Sequence, residues 1–285
     1  MKFIVSVLLL LTLSISHLSA YSPSDDKVSG SELARLGKRQ TVDTSFLECV
    51  YEHCIHDPFF NETRIDDEIL EIGRKASRYG SYPKYVRDSI IATDYPAGIS
   101  KNDYDKLRKR IGSVSFTETL KDFNSGKLKH FETIFTDHYV YEENIPTFNW
   151  TYSDETDEIC GYKCSKATAE FRGRKWIAWY SEEIPVDNGP LKFGGLPGLI
   201  LKIEDTDKEH VFEAIQLRKN TRNFGYKAWS LMMPTDRKTF NKTMLDYKTD
   251  VVAFLDNEFP AAVNPDGSPF THTKRRLFYN PVEKD

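Results

Sequence analysis

The chain has 285 residues, with 39 Lys and Arg against 43 Asp and Glu and a net charge of −4. That mixed, slightly acidic balance excludes a nucleic-acid partner, because neutralising phosphates needs a basic field. Aromatic residues make up 13% of the chain, mostly Phe and Tyr, which favours strands carrying large packed side chains.

Residues 1–20, MKFIVSVLLLLTLSISHLSA, read as an export signal. Lys2 supplies the positive start, Phe3 to Ile15 form an apolar run too short to span a bilayer, and Ser19-Ala20 offer small residues for cleavage. No later run is long or apolar enough to cross a membrane. The expected address is therefore the periplasm, the outer membrane surface or the medium. Residues 21–44 are polar and read as a flexible lead-in. From residue 45 to 285 the expectation is a single domain.

Ser45 to His56, SFLECVYEHCIH, has the composition of a first strand. DEILEIGRKASRYGSY predicts two short strands around Gly73, and KYVRDSIIAT and SKNDYDKLRKRIG predict short helices, the second capped by Ser100. A β-meander follows from about Lys129. Its clearest hairpin is SKATAEFRGRKWIAWYSEEIP, turning at Arg172-Gly173-Arg174, where glycine supplies positive φ. A second hairpin turns between Asp205 and Lys208. PTDRKTFNKTMLDYKTDVVAFL predicts an amphipathic helix near 235–255, with Phe240, Met244, Tyr247 and Val251 at helical spacing. An extended tail closes the chain. Together these elements predict an α+β fold dominated by a curved, half-barrel-like antiparallel sheet with short helices.

The stretch GPLKFGGLPGLILKIED, Gly189 to Asp205, lacks the Lys-Ser or Lys-Thr pair of a phosphate loop and leads into a strand. It reads as a structural corner: Pro197 and Gly198 fit a type II turn with positive φ at Gly198, while Gly194 and Gly195 permit close backbone approach. These residues, within Ile159 to Asp205, resemble the GLPGLI family of exported proteins from Gram-negative bacteria. YVYEENIPTFNW and EILEIGRKASRYGSY extend the likeness over roughly residues 45–220. The resemblance implies export and brings no reaction, cofactor or catalytic residue with it. Cys164 fits that family's pattern around Gly161-Tyr162.

Four cysteines, Cys49, Cys54, Cys160 and Cys164, in an exported chain predict disulfides, with three connectivities open. On one straight strand Cys160 and Cys164 would lie about 13 Å apart, whereas a bridge needs Cα atoms within about 7 Å. Cys49, His53, Cys54 and His56 are candidate metal ligands for a metal-handling protein, the alternative reading. In a strand, however, Cys54 and His56 share one face and His53 points to the other. A hydrolase is the third reading; no Gly-x-Ser-x-Gly elbow is present, and His138 and His210 stand as lone histidines. The leading expectation is a non-catalytic envelope protein, without cofactor, that binds an apolar ligand or an envelope protein partner. The expected ligand-binding residues are Trp176, Tyr180, Phe193, Leu196 and Leu199 on the sheet's concave side. The oligomeric state is left open.

Overall fold

The computed structural model describes residues 39–227, 232–258 and 274–284. The expected export signal and most of the lead-in lie outside these residues. The lead-in is shorter than expected: β1 spans Arg39–Asp57, and its first part pairs with β12 (Asn223–Lys227), which satisfies backbone groups at 39–44. The other strands are β2 (Glu62–Gly73), β3 (Ala76–Ser81), β4 (Glu118–Asp122), β5 (Lys127–Ile134), β6 (Asp137–Asn144), β7 (Thr151–Ile159), β8 (Tyr162–Phe171), β9 (Arg174–Ser181), β10 (Leu199–Asp205), β11 (His210–Arg218) and β13 (Met232–Thr235).

These strands form one sheet in the order β13-β6-β5-β4-β3-β2-β1-β11-β10-β9-β8-β7, with β12 beside the start of β1. Every pairing is antiparallel except β13 with β6. β6 is second and β7 twelfth in that order, ten steps apart. Ten steps in a flat sheet measure about 48 Å, yet residues 145–150 that join the two strands reach about 24 Å at most. The sheet therefore curls, although its edges do not pair and it stays open. Phe148 in that short connection packs on both Phe171 and Phe193, centroids 4.7 and 5.7 Å away.

Two helices lie between β3 and β4. Helix α1 (Tyr82–Asp94) begins at Ser81, whose hydroxyl accepts from the Lys84 amide, and α2 (Lys101–Ile111) at Ser100, which does the same for Asp103. α1 covers the outer face through Tyr85 against Val50 and Ile69. Past β13, the span expected to hold one helix contains α3 (Arg237–Thr249), capped by Asp236, and α4 (Val251–Glu258). Phe240 and Met244 of α3 pack on Ile134 and Tyr141. The inner face carries the main core, including Cys49, Tyr51, Leu70, Trp176, Ala178, Phe193, Leu196 and Phe212.

Candidate functional site

The glycine-rich corner fills the concavity and ties its walls together. Between β9 and β10 the chain folds inward, so that Leu199 N donates to Ile184 O (3.0 Å) and Ile200 N to Asn188 O (3.0 Å). Lys121 reaches up from β4 and donates to Asn188 Oδ1 (2.9 Å) and Phe193 O (2.5 Å). Thr119 Oγ1 donates to Leu191 O (3.2 Å), and Trp150 Nε1 to Gly194 O (2.9 Å). The roles expected of two glycines are exchanged. Positive φ falls at Gly195 (+82°), not at Gly198. Gly198 is instead where the chain presses on the Ser181 carbonyl, so that a Cβ would overlap it. Gly194 runs close to Asp187, a Cβ there lying 3.2 Å from its Oδ1. Pro197 sits between Leu196 and Gly198 in the same corner.

Trp176, Tyr180, Phe193, Leu196 and Leu199 are all buried within this core. None lines the cavity described next. Alternation in β9 does place Trp176 and Tyr180 on the inner face, but the corner itself covers them.

The cavity opens beside the corner, between the ends of β1, β2, β5 and β11, helix α3 and the segment Phe278–Glu283, with a volume of about 200 Å³. Its apolar side is formed by Ile55, Leu191, Phe212, Phe240, Met244 and Phe278. Its polar side holds three imidazoles. His53 Nδ1 lies 3.1 Å from Glu68 Oε2, which also accepts from the Tyr79 hydroxyl. His53 Nε2 lies 3.1 Å from His210 Nδ1, and the His53 ring stacks on Phe212 at 3.7 Å. His210, expected to stand alone, is thus the partner of a histidine 157 residues away. Burial pushes the His210 imidazole well below its ordinary range, helped by the neighbouring His53 and Arg174, while the carbonyls of Pro281 and Asn280 act against this. His130 Nε2 donates to Glu132 Oε2 (2.9 Å), and its ring stacks on Tyr141 (4.8 Å). Its other nitrogen, Nδ1, is buried without a hydrogen-bond partner.

Beside the cavity two arginines of the β8–β9 turn grip the tail. Arg172 Nη1 donates to Glu283 Oε1 (2.5 Å) and its Nη2 to Glu143. Lys192 bridges the same two carboxylates, at 2.7 Å from Glu143 and 2.6 Å from Glu283, and donates to the Tyr141 hydroxyl (2.8 Å). Burial works to raise the Glu143 carboxyl, but the Arg172 and Lys192 cations overcome it and hold the group below its ordinary range. Arg174 pairs with buried Asp205 and with Glu209 (2.7 Å). Its Nη2 donates to Asn280 Oδ1 (2.5 Å) and Pro281 O (2.8 Å).

The structure draws no disulfide between Cys49, Cys54, Cys160 and Cys164. Cys49 and Cys164 are buried in the main core, and burial pushes their thiols up to about 12 and about 11. Cys160 is exposed in the β7–β8 turn at φ +54°, so it does not share a straight strand with Cys164. Along β1, Cys49 and His53 face inward, while the half-buried Cys54 and His56 belong to the alternate set. Cys54 Sγ approaches Glu52, and His56 Nδ1 pairs with Thr63. Among the described residues no three His, Cys, Asp or Glu side chains are grouped as ligands for one metal ion.

A family model described as "Protein of unknown function (Porph_ging)" matches residues 172–202. That stretch runs from the Arg172-Gly173-Arg174 turn through Lys192 and the glycine-rich corner. No curated protein matches the chain. Among solved structures, PNGF-II in its P21 form is 16% identical, with 73% of this chain and 34% of that chain covered and a TM-score of 0.47. Its C2 form gives 15% identity, the same coverage and a TM-score of 0.46. The chain thus spans about a third of the PNGF-II length. A putative outer membrane lipoprotein-sorting protein domain from Vibrio parahaemolyticus is 11% identical over 70% of this chain and 90% of that one, with a TM-score of 0.21. No helix among the described residues is long and apolar enough to cross a membrane.

Proposed function

We propose that this chain is an exported, non-catalytic binding protein of the cell envelope that holds a small amphipathic ligand in the cavity beside His130. The observation that carries this reading is His130, which lines a cavity with an apolar side and whose Nδ1 is buried without a hydrogen-bond partner. An unsatisfied buried polar group costs about 1–3 kcal/mol, which a ligand bearing a hydrogen-bond donor relieves. The ligand's apolar face packs on Phe240 and Met244, at about 25 cal/mol per Å² removed from water.

Size selects the ligand class. A volume of about 200 Å³ lies below the ~300–1,000 Å³ of clefts that take drug-sized molecules. A long acyl chain is therefore disfavoured, and a compact molecule of roughly one ring fits better. Charges in the cavity wall are matched in pairs, Arg64 with Asp66 (2.8 Å) and Lys192 with Glu283 (2.6 Å), which favours a ligand without net charge. Export is supported by the Lys2 to Ile15 leader pattern and by the GLPGLI resemblance.

Ligand-observed NMR with a library of compact fragments tests this reading. Hits are expected to bind saturably and to weaken about 5- to 100-fold in His130→Leu, the equivalent of losing one hydrogen bond to a buried group. Hits that ignore both His130→Leu and Phe240→Ala would refute it.

A further inference from the structure

The segment Phe278–Lys284 carries no strand pairing, yet it is recognised in unusual detail. Tyr279 N donates to Asp57 Oδ2 (2.8 Å), and Lys284 N to Arg172 O (2.9 Å). Asn280 is read on both ends of its amide: Nδ2 donates to His56 O (2.7 Å) and Glu209 Oε2 (3.1 Å), while Oδ1 accepts from Arg174. Glu283 sits between Arg172, Lys192 and Arg237 (3.2 Å to Arg237 Nη1). The β8–β9 turn is shaped for this contact, since a Cβ at Gly173 would lie 2.9 Å from the Lys284 Cβ. Apart from Glu283, no residue of the segment is fully buried. The segment is held by polar recognition more than by apolar burial, which is how a peptide is bound and not how a core strand is anchored.

We infer that the Arg172-Gly173-Arg174 turn, with Lys192, His56 and Asp57, is a docking groove for an extended peptide of an envelope protein partner that places one carboxylate where Glu283 now lies. The pattern it reads is Asn-Pro-x-Glu, and the chain's own Asn280 to Glu283 occupies it as an internal competitor. Charge favours such a partner. With the segment lifted away, Arg172 and Lys192 keep between them the one carboxylate of Glu143, so the groove gains an uncompensated positive charge at the position of Glu283. A free groove of this kind binds an acidic side chain by the same bidentate and ammonium contacts that now hold Glu283. The groove shares Lys192 and the segment 278–283 with the wall of the ligand cavity, so lifting the segment also opens that cavity; the two readings are told apart by their probes, a peptide here and a compact fragment there.

The test uses the full chain with a loosened tail, Asn280→Ala and Glu283→Lys combined, and a fluorescein-labelled peptide FYNPVEKD, the sequence of residues 278–285. Anisotropy is expected to show saturable binding that weakens with salt. A peptide carrying Lys in place of its Glu should bind at least tenfold more weakly, and the wild-type chain should bind the peptide more weakly than the loosened one. A folded, loosened chain that ignores the peptide, or that binds both peptides equally, overturns the proposal. If the loosened chain fails to fold, hydrogen exchange on the wild type decides. Excess peptide should then speed exchange at the Tyr279 and Lys284 amides, and unchanged protection overturns the proposal. Tail exchange between two copies, seen as a concentration-dependent dimer of the loosened chain with wild type, would make the partner a second copy and overturn the inference of a separate protein.

Discussion

Lys121 offers the sharpest prediction about stability. The residue is 4% exposed beneath the glycine-rich corner, and burial pushes its ammonium down to about 7 from 10.5, against an opposing pull from Asp187. The unfolded chain therefore binds a proton at this site more readily than the folded one between pH 7 and 10.5, and stability rises with pH across that window. With those two pKa values the penalty is about 4 kcal/mol at pH 7 and about 2 kcal/mol at pH 9. Wild type should gain about 2 kcal/mol from this site between the two pH values. Lys121→Met abolishes the gain. The variant also loses hydrogen bonds to Asn188 Oδ1 and Phe193 O, at about 1–3 kcal/mol, but that loss is the same at both pH values. Cysteine titration above pH 8 is common to both chains and cancels. Urea unfolding followed by tryptophan fluorescence at pH 7, 8 and 9 measures the two slopes. Equal slopes in wild type and Lys121→Met would refute the reasoning.

Three other predictions concern the corner, the thiols and acid stability. Gly198→Ala forces a Cβ onto the Ser181 carbonyl and should cost about 1–3 kcal/mol or more by backbone displacement, while Gly195→Ala, at φ +82°, should cost about 1–2 kcal/mol; thermal melts within experimental scatter of wild type for Gly198→Ala would contradict the packing. Iodoacetamide at pH 8 should modify exposed Cys160 first, with Cys49 slowed on the order of 10³-fold by its raised pKa; an intact mass short of thiol hydrogens would instead show disulfides. Because the folded His210 resists protonation, stability should fall as pH drops below about 6.5, and His210→Gln should soften that loss in Tm measured from pH 7 to 5. Some slope persists, since burial also lowers His138.

Local chemistry was legible in the sequence. The Arg172-Gly173-Arg174 turn has positive φ at both Arg172 and Gly173, and the cap at Ser100 follows from residue type alone. The open antiparallel sheet also follows from the strand patterns. What the pattern could not show is which distant segments meet. The cavity brings His53, His130 and His210 together with the tail, joining β1, β5, β11 and residues 278–283 across most of the chain. Alternation told that Trp176 and Tyr180 point inward, but not that Phe193 would lie against Trp176, centroids 4.6 Å apart. Lys121 carried no signal in its own neighbourhood, because the atoms that hold it lie 67 and 72 residues onward. The exchange between Gly195 and Gly198 has the same origin: Pro-Gly suggests a type II turn locally, whereas the actual constraint on Gly198 is the strand it touches.

The central claim, a small ligand held beside His130, is tested most directly by native mass spectrometry of the full chain purified without detergent from cells that export it. The account predicts a bound species of compact size that is lost in His130→Leu while the protein stays folded. A bare mass in every preparation, together with no fragment that perturbs the His130 imidazole, would contradict it.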